Sequence, residues 1–143
     1  MLLVDIDNLK IINDLRGHST GDAVVARTAD AIRRSLRPRD DCARLGDEFL
    51  IYARDCSKEE AVEIAEAILR RLAKQGMPLV GAAFSVSIGI AAHEGGGADY
   101  ARIHREADAA LHQTRAEGRN RLVVYDATTA PPLHSDHPPQ VLV

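Results

Sequence analysis

The chain is predicted to be an α/β protein of the α+β sandwich type, with helices flanking a mainly antiparallel sheet, and two observations predict this. Strand-like segments alternate with segments whose apolar residues recur at helical spacing, in the order strand, helices, hairpin, helix, strand, helix, strand. Two short apolar arms are separated only by Gly46, Asp47 and Glu48, which signals a hairpin and therefore an antiparallel pair.

Met1 to Ile6 reads as a short buried strand, with Asp5, Asp7 and Asn8 bringing polar side chains to its carboxyl end, where functional groups commonly gather. From Thr20 onward, Val25, Thr28, Ile32 and Leu36 recur at helical spacing, which predicts an amphipathic helix running to Pro38. Thr20 or Ser19 is placed to cap it. Asp41 to Leu45 and Phe49 to Tyr52 are the arms of the hairpin. Ser57-Lys58-Glu59-Glu60 has the spacing of a capping box, and Ala61, Ile64, Ile68 and Leu72 extend it as a helix ending near Gly76.

Phe84 to Ala91 alternates apolar and small residues as a two-faced strand does, before the Gly95-Gly96-Gly97 loop, and Ser87 and Gly89 leave room for a neighbour. A helix from about Ala98 to Glu117 carries Ile103, Ala107, Ala110, Leu111 and Thr114 on one side and stops at Gly118. Leu122 to Tyr125 is the last strand. The domain is expected over 1–126, with 127–143, which holds four of the six prolines, as a flexible tail.

The length suits one domain with a real core. A formal charge of −3 argues against a general binder of nucleic-acid polymers or membrane surfaces, and leaves small polyanions as the expected ligands. Cys42 and Cys56 have neither metal-ligand nor disulfide spacing. The apolar opening is interrupted at Asp5 and Asp7, too early for a membrane span or signal peptide, so a cytoplasmic domain is expected.

Two carboxylate clusters could carry chemistry. Asp5 and Asp7 end the first strand and Asp47 and Glu48 occupy the hairpin turn, so pairing the two strands would bring both clusters to one edge. Carboxylates suit a hard divalent cation, which phosphoryl transfer requires. Acids in turns also serve simply as turn formers, and the residue pattern leaves both readings open.

The run Arg44-Leu45-Gly46-Asp47-Glu48-Phe49 resembles the signature loop of the GGDEF domains, the diguanylate cyclases, one residue short of the usual Arg-aromatic-Gly-Gly-Asp-Glu-Phe. The resemblance extends through Asp5-Ile6-Asp7-Asn8-Leu9-Lys10-Ile11-Ile12-Asn13-Asp14, Gly17-His18-Ser19-Thr20-Gly21-Asp22 and the closing Arg115-Ala116-Glu117-Gly118-Arg119. The helical segment with an Asn-Arg pair that usually precedes these motifs is not in the chain.

The resemblance implies a nucleotidyl-cyclase, ferredoxin-like fold with a signature β-hairpin, and a bacterial enzyme that condenses two GTP into cyclic di-GMP with release of pyrophosphate. A homodimer would hold one GTP per subunit. It implies Mg2+, or Mn2+, held by Asp5, the Ile6 carbonyl, Asp47 and Glu48, the last two also being catalytic. Lys10, Arg115 and Arg119 would meet the phosphates, Gly46 the nucleotide, and Asn13 and Asp22 the guanine edge. Arg115 stands where the family usually has Lys, and His112, expected half-buried, where it often has Tyr. Arg37 and Asp40 fit its RxxD inhibitory site for cyclic di-GMP. The missing residue in the loop supports an alternative expectation, a degenerate domain that binds GTP or cyclic di-GMP as a regulatory module.

Overall fold

The computed structural model describes residues 1–74, 83–93 and 99–129. In chain order the elements are β1 (Leu2–Ile6), α1 (Leu9–Arg16), α2 (His18–Arg33), β2 (Asp41–Leu45), β3 (Glu48–Tyr52), α3 (Lys58–Lys74), β4 (Val86–Ile90), α4 (Tyr100–Ala116) and β5 (Leu122–Val124). The strands form one sheet in the order β2-β3-β1-β4-β5, antiparallel throughout except for the parallel β4–β5 pair. The expected α+β architecture is therefore present.

β1 lies at the centre because it is apolar on both faces. Leu2, Val4 and Ile6 pack into the larger core with α1, α2 and α3, while Leu3 packs on the other face with Ala107 and Leu111 of α4. Complete burial of such a side chain contributes roughly 1.5–3 kcal/mol. Strand alternation puts Asp5 on the same face as Leu3, toward α4. α4 approaches the sheet closely only because β4 carries Gly89: a Cβ there would lie 2.2 Å from the Ala107 carbonyl oxygen and 2.4 Å from the Leu111 nitrogen.

The capping box at α3 forms as expected, with Ser57 N–H donating to Glu60 Oε2 over 2.8 Å and Glu60 N–H to Ser57 Oγ over 3.1 Å. α4 starts at Tyr100 on an Asp99 cap. The expected end of α3 near Gly76, the Gly95-Gly96-Gly97 loop, the Ala98 helix start and residues 130–143 of the tail lie outside the described residues.

Three local expectations are corrected, and one helix of the expected order is given its bounds. α1 is a separate helix beginning at Leu9 after the N-cap Asn8, whose φ of 58° and lack of a side-chain cap leave little sequence signal. α2 starts at His18 after Gly17, and Thr20 does not cap it: its hydroxyl donates back to the Arg16 carbonyl. α2 ends at Arg33, well before Pro38. β2 is exposed along its whole length, as an edge strand paired only with β3 among the described residues. Cys42 and Cys56 are free thiols. Among the described residues no helix is long and apolar enough to cross a membrane.

Candidate active site

Antiparallel pairing of β1 with β3 sets Asp5 directly opposite Glu48. Direct cross-strand partners share a face, so both carboxylates stand on the α4 side of the sheet. Arg115 in the last turn of α4 closes the group, its Nη2 donating to Asp5 Oδ2 over 2.9 Å. Burial holds the Asp5 carboxyl above its ordinary pKa, and Asp7 and Asp47 push the same way against Arg115. Glu48 is likewise raised by burial, then by Asp5 and Asp108. Asp108 was not singled out in the sequence, although it lies two helical turns before Arg115 and so on the same side of α4.

The hairpin closes with Leu45 opposite Glu48, leaving Gly46 and Asp47 as a two-residue turn. Gly46 has φ +62° while Asp47 is not left-handed, as expected for a type II′ turn with Gly first. One glycine therefore suffices to close the shortened loop. Arg44 Nε braces it, donating to the Gly46 carbonyl over 2.8 Å. Asp47 sits exposed at the tip.

Lys10 and Asn13 lie three residues apart on α1 and so share a face of that helix, with Lys10 exposed. Asn13 packs against Gly21 of α2, next to the exposed Asp22, and its Oδ1 is buried without a hydrogen-bond partner among the described residues. A separate groove of about 600 Å³ runs along a different side of α1, past Ile11, Leu15 and Phe84. Neither Lys10 nor Asn13 lines it.

Asp7 is buried and fully engaged: Ser85 Oγ (2.6 Å) and the Asn120 N–H (3.1 Å) donate to Oδ2, and Ser87 Oγ (2.7 Å) to Oδ1. It ties β1, β4 and the turn after α4 together, and so does not extend the Asp5 cluster. That turn is left-handed at Gly118, Arg119 and Asn120. Arg119 is exposed beyond the helix end, so it does not stand one helical turn above Arg115. His112 is exposed rather than half-buried.

Arg37 and Asp40 do meet, but they meet each other. Arg37 Nη2 and Nε donate to Asp40 over 2.8 and 3.0 Å, and the remaining donors reach Glu60 Oε1 (3.3 Å) and the Arg54 carbonyl (3.0 Å). Burial opposes ionisation of Asp40, yet the Arg37 hydrogen bonds and charge outweigh it and hold the carboxyl below its ordinary pKa.

The donor set suits a magnesium-like cation in chemistry: facing hard-oxygen ligands at Asp5 and Glu48, whose mutual repulsion a dication would relieve. Among the described residues no group of three or more acidic, His or Cys side chains is gathered as a ready cage. Magnesium is normally held by one or two carboxylates together with waters and substrate phosphates, so two facing carboxylates are a fitting protein contribution.

The family model for "Diguanylate cyclase, GGDEF domain" matches residues 1–121. The diguanylate cyclase DosC of Escherichia coli K12 is 36% identical over 132 residues, which cover 90% of this chain and 28% of that protein. The active GGEEF domain of a diguanylate cyclase from Vibrio cholerae superposes with a TM-score of 0.80 at 32% identity, covering 87% of this chain and 81% of that one. The GGDEF domain of DgcB from Caulobacter crescentus, solved in complex with c-di-GMP, gives a TM-score of 0.76 at 30% identity, covering 87% and 75%. This chain spans little more than a quarter of DosC, but the family match runs through β1 to β4, the hairpin and the helices that carry the site residues: the chain belongs to the GGDEF family of diguanylate cyclase domains.

Proposed function

We propose that this domain is a diguanylate cyclase half-site that binds one GTP and, facing a second copy, condenses two GTP into cyclic di-GMP and two pyrophosphates. The observation that carries this reading is the facing pair Asp5 and Glu48, with Arg115 against Asp5 and Asp47 at the turn beside them. In each half-reaction the 3′-oxygen of one GTP attacks the α-phosphorus of the other. The new O–P bond forms as the bond from the α-phosphorus to the bridging oxygen breaks, and pyrophosphate leaves with that electron pair. The 3′-hydroxyl proton passes to Asp47 or Glu48.

Asp5, the Ile6 carbonyl, Asp47 and Glu48 would hold Mg2+ or Mn2+, which supplies neutralisation of the charge developing on the phosphates. Arg115, Arg119 and Lys10 add cationic groups for the triphosphate. Of Asp47 and Glu48, it is Glu48 whose pKa is raised, by burial and then by Asp5 and Asp108, which favours its taking up the 3′-hydroxyl proton. Asn13 and Asp22 address the base. Asp47→Ala should abolish cation-dependent turnover; a variant retaining full activity rules out this assignment.

A second reading, a non-catalytic module that binds nucleotide or cyclic di-GMP, is favoured by the two-residue turn and by the pairing of Arg115 with Asp5. In that case a dinucleotide at Arg37 must displace Asp40, Glu60 and the Arg54 carbonyl from its guanidinium. Arg37→Ala with undiminished cyclic di-GMP affinity would exclude binding there.

A further inference from the structure

The carboxamide of Asn13 occupies the space that a side chain at position 21 would fill. A Cβ on Gly21 would lie 1.7 Å from Asn13 Oδ1, 2.7 Å from Cγ and 3.2 Å from Nδ2. Backbone conformation does not demand glycine there, because Gly21 lies inside α2 and is not among the residues of positive φ. Alanine is the better helix former at such a position. What glycine supplies is room.

Oδ1 is buried with no hydrogen-bond partner among the described residues, so the room at position 21 is what accommodates it. Oδ1 sits deepest in the slot and Nδ2 farthest from position 21, so the amide donors form the outer end of the side chain. Asp22 follows Gly21 directly in α2, is exposed, and brings an acceptor one residue from the slot. A donor next to a carboxylate complements guanine, which carries the O6 acceptor beside its N1–H and amine. Adenine has an amine and a bare nitrogen in those places.

We propose that Gly21 is a specificity-determining positioning residue: its missing side chain forms the slot that orients the Asn13 carboxamide for guanine over adenine. The inference rests on the reading above that Asn13 and Asp22 address the base. A methyl group at 21 drives the amide out of the slot and turns its donors away from the base, without touching the residues assigned to the phosphates.

The test is displacement of a fluorescent GTP analogue by GTP and by ATP from the wild-type domain and from G21A, N13A and the double variant. G21A is expected to weaken GTP by about tenfold, the loss of one hydrogen bond, and to leave ATP unchanged. In the N13A background G21A should have no further effect. Equal losses for GTP and ATP in G21A, or effects that multiply in the double variant, overturn the inference. An N13A loss that G21A fails to reproduce also overturns it, whereas an N13A variant with unaltered base preference overturns the base-contact reading beneath it. Should G21A not fold, the double variant, which removes the clash, is compared with N13A alone: equal GTP affinity supports the slot and lower affinity overturns it.

Discussion

Arg115 Nη2 donates to Asp5 Oδ2 over 2.9 Å, so the guanidinium assigned to phosphate and the carboxylate assigned to metal neutralise each other. A nucleotide with its cation must draw them apart or be shared between them. Arg115→Ala should therefore act in two directions. Mn2+ binding without nucleotide should tighten severalfold, because Asp5 and Glu48 lose a competing cation. GTP binding should weaken about tenfold, through loss of one charge-assisted contact. Calorimetric titration of each ligand checks this, and parallel changes in both would contradict it.

Glu48 is maintained at a cost to folding. Its pKa is raised by burial, Asp5 and Asp108, so the folded domain keeps a proton that the unfolded chain releases at about pH 4.3. Stability then falls as pH rises from that value through the raised folded pKa, and the cost is fully present above it. Glu48→Gln should accordingly raise the melting temperature at neutral pH by a few degrees while abolishing turnover. A lower melting temperature would argue against the carboxylate cluster.

Asp40 has the opposite sign. Its folded pKa lies below the unfolded value, so its contribution is present above about pH 3.9 and lost as pH falls through the folded value. The Asp40 side chain is fully covered beneath Arg37. Arg37→Ala should cost about 2 kcal/mol at pH 7 by leaving that carboxylate unpaired. Urea unfolding at pH 7 and at acid pH should show the deficit shrinking as Asp40 protonates; a constant deficit would place the effect elsewhere.

Two glycines should respond differently to alanine. At Gly89 the added methyl meets backbone atoms of Ala107 and Leu111, which have no flexible end to move, and a loss of about 3 kcal/mol is expected. At Gly46 nothing lies within 4 Å among the described residues and only the positive φ is strained, so about 2 kcal/mol is expected. Denaturant midpoints of the two variants check this ordering.

What was legible in the sequence follows from how local its physics is. The α3 capping box is written in four consecutive residues and forms as read. The Gly89 approach was visible as a missing side chain in an alternating strand, although its partner, α4, was not. The bounds of α1 are hard to read because Ile11 and Leu15 are exposed large apolar residues that blur its core stripe, and because Gly17 caps both the end of α1 and the start of α2. The facing of Asp5 and Glu48 was anticipated from pairing of their strands. The closure of Arg115 onto Asp5, and of Arg37 onto Asp40 and Glu60, depends on tertiary placement that spacing does not encode.

The most direct test is incubation of the purified domain with GTP and Mg2+ at several protein concentrations, with cyclic di-GMP followed by chromatography. Product that rises more steeply than in proportion to protein is expected, because two half-sites must meet. No product, from protein that still binds GTP, would contradict catalysis and leave a nucleotide-binding module.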